Sequence, residues 1–253
     1  MAQPLWQGVG VALVTLFDAN GEVDVGATAA HAVRLVDAGV RAVLVAGSTG
    51  EADTLDDAEV AALVGAVRAA CPGTPVLAGT SASWLGRVVR RSVRALDAGA
   101  DALLVAPPRR CGDVPGFFAS LAGQLPDAPL LAYHFPGVAG AEVAVESLTD
   151  LPVAGLKDST GSAERLVATL ESWGGATYVG AAMLTLTAGA LGADGAILAV
   201  ANACPELAVA AFGGDAGAQR ALLAVHRDAV RRFPHGLKER VADRFGTPVH
   251  ARA

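Results

Sequence analysis

The stretch DAGVRAVLVAG (37–47) decides the fold. It reads as the end of a helix, a glycine stop and a short, wholly apolar strand that runs into a second glycine. The same order returns in DAGADALLVAPP (97–108) and in LGADGAILAV (191–200). Three copies of one unit point to an internal repeat of a β-strand and its helix. Working outward, apolar runs at 8–17, 41–47, 75–81, 101–108, 129–135, 152–158, 176–181 and 195–202 read as strands. Residues 24–38, 56–70, 84–98, 115–124, 145–150, 162–172 and 183–191 read as helices between them, and the chain from Pro205 on reads as helical. Strands that are apolar at nearly every residue, rather than at alternate ones, are buried on both faces, as parallel strands under helices are. Eight of them alternating with helices predict an α/β fold, a (β/α)8 TIM barrel with a short C-terminal helical extension. A doubly wound sheet is the alternative, but no Gly-x-Gly-x-x-Gly follows the first strand. Without a linker between domains, the expected division is a barrel over 1–218 and an extension over 219–253 packed on it.

Composition supports a large core. Of 253 residues, 53% are hydrophobic and 17% charged, too apolar for a disordered chain. The mean hydropathy of +0.44 raises the question of a membrane span. The long charge-free stretch 172–193 is broken by Gly174, Gly175, Gly180, Gly189 and Gly192, and a spanning helix needs a continuous run of large apolar residues. Met1–Gly8 has no basic region leading into an apolar one, so no secretory signal is read and a cytoplasmic location is expected. A net charge of −6 and a pI near 5.3 argue against a nucleic-acid partner. The basic stretch Arg87–Arg94 is read as the solvated side of a helix. Cys71, Cys111 and Cys204 stand far apart and the five histidines are scattered, so no disulfide framework, metal site or phosphate loop is implied.

Among 19 basic side chains only Lys157 and Lys238 are lysines. Arginine and lysine serve equally as solubilising charges, but a guanidinium stays protonated and cannot act as an amine nucleophile. Active sites of barrels lie at the carboxyl ends of the strands, and Lys157 ends the sixth. An amine in an apolar barrel mouth loses hydration as a cation, so its pKa falls. Its neutral form can attack a carbonyl and make an imine, an electron sink for carbon–carbon chemistry. An ordinary strand-end lysine paired with Asp158 is the plainer reading. Tyr133 ends the preceding strand, where a phenol can move protons to and from a carbonyl oxygen; packing alone would also explain it. Gly47-Ser48-Thr49-Gly50-Glu51 forms a turn after the second strand. Gly47 and Gly50 permit unusual dihedrals that let backbone N–H groups converge on an anion, with the Ser48 and Thr49 hydroxyls beside them. A carboxylate is the natural guest. His134 reads as structural.

Gly47–Glu51, Tyr133-His134-Phe135-Pro136 and Gly155-Leu156-Lys157-Asp158-Ser159, in this order and spacing, resemble the dihydrodipicolinate synthase/N-acetylneuraminate lyase family of class I, Schiff-base aldolases. That family shows a Gly-[Ser/Thr]-Thr-Gly-Glu turn, a Tyr-Asn-x-Pro segment and a Gly-[Ile/Leu/Val]-Lys-[Asp/Glu]-[Ser/Thr] strand end. The resemblance runs from about Gly8 to Pro205. It implies Lys157 as the Schiff-base lysine, Tyr133 as the proton shuttle and Ser48 as the hydroxyl relay. It implies Thr49, with Gly47 and Gly50 in the same turn, as the carboxylate site, and Gly180 and Ile197 as pocket-lining residues. It further implies a homo-oligomer, dimer or tetramer, that needs neither metal nor cofactor. Three departures mark a divergent member. Pro108-Arg109 stands where the synthases carry a Tyr-Tyr pair, Gly137-Val138-Ala139-Gly140 lacks their arginine, and His134 replaces asparagine. These lead away from the lysine-pathway synthase and towards a lyase on another small 2-oxo acid, with pyruvate as product or donor. Arg109 or Arg110 is a candidate contact for an acidic group of such a substrate. A dehydratase using the same imine and a non-catalytic barrel that binds a 2-oxo acid are the alternatives.

Overall fold

The computed structural model describes residues 4–252. Strands β1 (Gly8–Ala12), β2 (Ala42–Val45), β3 (Val76–Gly79), β4 (Ala102–Val105), β5 (Leu130–His134), β6 (Gly155–Asp158), β7 (Ala176–Val179) and β8 (Gly195–Leu198) pair in chain order. All are parallel, and β8 closes on β1 with Gly8 opposite Gly195. Helices α1 (Val25–Asp37), α2 (Asp57–Ala70), α3 (Leu85–Asp97), α4 (Val114–Gln124), α5 (Ala163–Ser172), α6 (Thr185–Ala190) and α7 (Pro205–Phe212) follow the strands, and α8 (Ala216–Val230) and α9 (His235–Phe245) come after them. This is the expected (β/α)8 barrel with C-terminal helices. The division expected at residue 218 falls inside α8, whose start is set by Asp215 accepting from the Gly217 and Ala218 N–H groups at 2.7 and 2.9 Å.

The repeated unit has a physical basis in its helix ends. Gly39, Gly99 and Gly192 have φ of +99°, +101° and +79°. The next residue then donates back into the helix, Val40 to Leu35 O, Ala100 to Ala95 O and Ala193 to Ala188 O. A left-handed glycine followed by such a bond is a Schellman ending, and it turns each chain straight into the next strand. Asp101 and Asp194 then accept from the Val76 and Thr177 N–H groups, both at 2.8 Å, and pin the start of the neighbouring strand.

The strands are shorter than the apolar runs that announce them. After Ala12 the chain stays buried but its N–H groups find side chains: Val14 donates to Asn202 Oδ1 and Leu16 to Thr28 Oγ1, both at 3.0 Å. Asn202, expected at the end of the eighth strand, lies in a 3-10 turn over Val200–Asn202 and donates to Ala12 O at 2.7 Å. The helix expected at 145–150 is likewise a 3-10 turn. The core has two layers. Ala42, Leu44, Leu77, Ala102, Leu104, Leu131 and Ile197 fill the barrel, and Trp6, ahead of β1, stacks on Tyr178 at 4.0 Å between ring centroids. The outward strand residues meet the helices in the larger cluster.

One basic residue contradicts its expected place. Arg91 on α3 is only 4% exposed and does not belong to a solvated face. Its guanidinium pairs with Asp57 Oδ1 at 2.8 Å and donates to Leu55 O at 2.9 Å and Ala52 O at 3.4 Å, so it ties down the loop after β2. Among the described residues no helix is long and apolar enough to cross a membrane.

His31 on α1 is fully buried and packs edge-on to Phe245 at 5.3 Å. Burial, aided by the nearby Arg34 charge, pushes its pKa down from 6.5 to about 4. The unfolded chain therefore binds this proton first as the pH falls, so the His31 contribution to stability is full above pH 6.5 and drains away towards pH 4. The expected loss is about 3 kcal/mol over that window. Urea unfolding of His31→Leu should show a flatter pH dependence between those limits; an unchanged slope would refute the assignment.

Candidate active site

On β6 the side chains alternate. Leu156 faces the helix layer, and Asp158 turns to Arg165 of α5, with Nε 2.5 Å from Oδ2. Asp158 Oδ1 also accepts from the Thr160 hydroxyl at 2.6 Å. Lys157 therefore points into the barrel and is not the partner of Asp158. It is 5% exposed and lies in register between Tyr133 of β5 and Tyr178 of β7. Its Nζ sits 4.6 Å from the Tyr133 ring centroid. Burial holds the Lys157 pKa below the ordinary lysine value, against a smaller opposing effect of the Tyr133 phenol. Tyr178 is committed elsewhere, its hydroxyl donating to Trp6 O at 3.1 Å. Gly180 makes room for the amine's chain: a Cβ there would lie 2.9 Å from Lys157 Cε and 1.9 Å from Ser159 Oγ.

The turn after β2 is a 3-10 turn over Ser48–Gly50. Its bonds run from Gly50 N to Gly47 O at 2.9 Å, Glu51 N to Ser48 O at 3.2 Å and Ala52 N to Gly47 O at 3.3 Å. The N–H groups of Ser48 and Thr49, at the open end of the turn, take no part in this bonding. The expected role of the glycines needs correction. Gly47 has an extended φ of −78°, and the left-handed residues are Ala46 at +53° and Glu51 at +55°. The glycines act instead by allowing close approach. A Cβ on Gly50 would lie 2.9 Å from Leu13 O, and one on Gly47 would lie 3.0 Å from Leu44 Cδ2. The strain that sequence patterning assigned to glycine is carried by an alanine and a glutamate, at an order of 1–3 kcal/mol each.

Lys157, Tyr133, Ser48 and Gly47 line one small cavity of about 50 Å³. Ser48 also lines a wider cavity of about 860 Å³ at the barrel mouth, in the size range of ligand sites. Thr49 is buried at 7% exposure, and Ile197 is packed in the barrel interior; neither lines the small cavity, nor does Gly50 or Gly180. His134 is a satisfied core histidine, its Nδ1 accepting from Val143 N at 3.0 Å. Arg109 spends its guanidinium on Gly137 O and Val138 O, at 3.0 and 2.5 Å. Arg110 and Arg87 line the wide cavity and form no ion pair among the described residues. Ser81, at the carboxyl end of the third apolar run, also lines the small cavity, as do Ala46, Ala52, Gly79, Leu104 and Ala139, which the sequence did not mark as site residues. Ser81 accepts from Ala106 N at 2.8 Å. Gly79 carried a signal, since a glycine at a strand end marks close backbone approach: its Cβ would lie 2.2 Å from Ala46 O.

An enclosed amine, a phenol ring against it and a turn with open N–H groups thus lie together at the carboxyl ends of the barrel strands. The chain belongs to the dihydrodipicolinate synthetase family, whose model matches residues 5–242. It is 32% identical over 231 residues to the 4-hydroxy-tetrahydrodipicolinate synthase of Salinibacter ruber, covering 85% of this chain and 76% of that one. It is 34% identical to an uncharacterized DapA-like lyase of Chloroflexus aurantiacus, over 91% of this chain and 83% of the other. Among solved structures, the chloride-inhibited dihydrodipicolinate synthase of Acinetobacter baumannii complexed with pyruvate aligns with a TM-score of 0.82 at 26% identity, over 92% of this chain and 87% of that one.

Gly79→Ala forces a methyl against the Ala46 carbonyl, a backbone atom that cannot swing aside. It should destabilise by about 2 kcal/mol, read as a lower urea midpoint. A change within experimental scatter would show that the turn shifts without strain.

Proposed function

We propose that this protein is a Schiff-base-forming lyase that makes or breaks a carbon–carbon bond in a small 2-oxo acid, with pyruvate as product or donor. The observation that carries this reading is Lys157, an amine enclosed in the barrel mouth whose cationic form is disfavoured by burial. In the cleavage direction the neutral amine adds to the C2 carbonyl of the substrate. Loss of water gives a protonated imine. The C3–C4 bond then breaks, its electron pair moves into the imine as an enamine, and the far fragment leaves as an aldehyde when its hydroxyl gives up a proton. The enamine takes a proton at C3, and water releases pyruvate and the free amine. Tyr133, with its ring against Nζ, is the residue to move these protons, and the Ser48 hydroxyl at the cavity wall is the relay. The open N–H groups of Ser48 and Thr49, the Thr49 hydroxyl and the close-packed Gly47 and Gly50 suit the carboxylate. Gly180 and Ile197 shape the space around the amine and the barrel floor.

The wide cavity qualifies the substrate. Arg87 and Arg110, with Arg109 fixed on its loop, favour a far end that carries a carboxylate or phosphate. A cytoplasmic homo-oligomer, dimer or tetramer, belongs to the same proposal.

Incubation with pyruvate and borohydride should leave one pyruvate-sized adduct on Lys157, absent in Lys157→Arg because a guanidinium does not attack. No adduct with any of several 2-oxo acids would sink the reading. Imine formation should rise with pH and level off below the ordinary lysine value of 10.5, since the amine becomes neutral once the pH passes its lowered pKa. Gly180→Ala should slow adduct formation by about tenfold or more, because it displaces the attacking atom. A panel of hydroxylated 2-oxo acids, scored for aldehyde release against water loss, separates a lyase from a dehydratase. Arg110→Ala and Arg87→Ala should raise KM for acid-tailed substrates and leave uncharged ones unchanged.

A further inference from the structure

The second lysine is also buried, and it meets the residue that closes the same turn. Lys238 on α9 is fully buried, and its Nζ lies 2.5 Å from Glu51 Oε1. The same ammonium donates to His250 O at 2.7 Å and rests on the Phe17 ring at 4.3 Å. Glu51 closes the turn in the left-handed region with φ 55° and ψ 43° and is 2% exposed. Its other carboxylate oxygen accepts from Arg252 N at 2.8 Å. Residues 247–252 thus run over Phe17, which bridges His250 in antiparallel fashion, and end on the turn. The Arg252 side chain completes the clasp with Glu59 at 2.7 Å, Gly21 O at 2.5 Å and Thr54 O at 3.2 Å, its guanidinium also against Phe17 at 4.7 Å.

We propose that Lys238 and the segment 247–252 are positioning elements of the substrate site: through the Glu51 carboxylate they hold the Ser48–Gly50 turn in the geometry that binds the 2-oxo acid's carboxylate. The proposal rests on the Schiff-base reading above. Three arguments support it. A glutamate in the left-handed region is sterically disfavoured, so it stays there only when its surroundings over-determine it. Glycine or asparagine would fill that position without strain, but neither offers a carboxylate for Lys238 and Arg252 to grip. The pair lies in a water-poor interior where charge attraction is strong, and removing one member strands the other. The chain that follows the turn is also held from α3, where Arg91 donates to Ala52 O and Leu55 O. The turn that carries the Ser48 and Thr49 N–H groups is therefore followed directly by residues anchored from α9 and α3. Lysine suits the α9 clamp because its compact ammonium can serve a carboxylate, a carbonyl and a ring face at once.

The test measures borohydride-trapped pyruvate adduct on the full chain, as the pyruvate concentration at half-saturation and as the limiting trapping rate, for wild type, Lys238→Met, Glu51→Gln and Arg252→Ala. A loosened turn should raise the half-saturating pyruvate concentration about tenfold in Lys238→Met and about threefold in the other two, with limiting rates near wild type, because placement rather than the amine is altered. Thermal midpoints are recorded in parallel. If Lys238→Met does not fold, Arg252→Ala, whose side chain is partly exposed, carries the decision. Unchanged half-saturation in the folded variants, whatever their thermal midpoints, overturns the proposal, as does a fall in limiting rate alone. Absence of any adduct in the wild type is a separate result that removes the Schiff-base reading itself.

Discussion

The structure depends on keeping an ammonium-bearing side chain inside a closed barrel without giving it a carboxylate. The period of two along β6 does this. Asp158 and Lys157 are neighbours in sequence, yet the pleat sends the acid outward to Arg165 and the amine inward. A shift of one residue in the register of β6 would exchange them and bury the carboxylate in the barrel instead. Closure of β8 onto β1 fixes that register, because no strand of a closed barrel is free to slide alone. The amine's desolvation is therefore a property of the whole sheet, maintained by eight short strands whose ladders all have to agree.

Around that amine the chain spends its glycines on proximity. Gly180 clears the Lys157 side chain, and Gly79 lets β3 pass beneath the Ala46 carbonyl. The left-handed positions beside the Ser48–Gly50 turn fall to Ala46 and Glu51. Strain held by residues with a side chain persists only where packing and hydrogen bonds leave no alternative, and both residues are buried. The turn is thus a rigid element, in keeping with binding sites whose polar groups are set before the ligand arrives.

Much of this was legible in the sequence. The repeated Asp-Ala-Gly units gave the helix ends, and their left-handed glycines lie where the pattern put them. The apolar runs gave eight strands but overstated their length, because burial continues into segments such as Leu13–Phe17, where Val14 and Leu16 donate to side chains from other parts of the chain. The site residues Lys157, Tyr133, Ser48 and Gly47 came together as the strand-end rule required. Local chemistry could not show that Arg91 is buried, since its partners Asp57, Leu55 and Ala52 lie 34 to 39 residues away. The same holds for the Glu51–Lys238 pair, joined across most of the chain. Sequence patterning reads periodicity well, and it is blind to contacts between distant turns.

The scarcity of lysine has a further meaning once both side chains are seen to be enclosed. The outer surface carries its positive charge as guanidinium groups, and neither lysine amine faces bulk solvent. Among the described residues, the exterior of the barrel therefore offers amine-directed chemistry no lysine side chain. Lys157 lines a small enclosed cavity, where burial has already weakened the amine's hold on its proton. The fold separates the two duties of a basic side chain by residue type. Arginine keeps the surface charged and inert, and the lysine amines are kept inside.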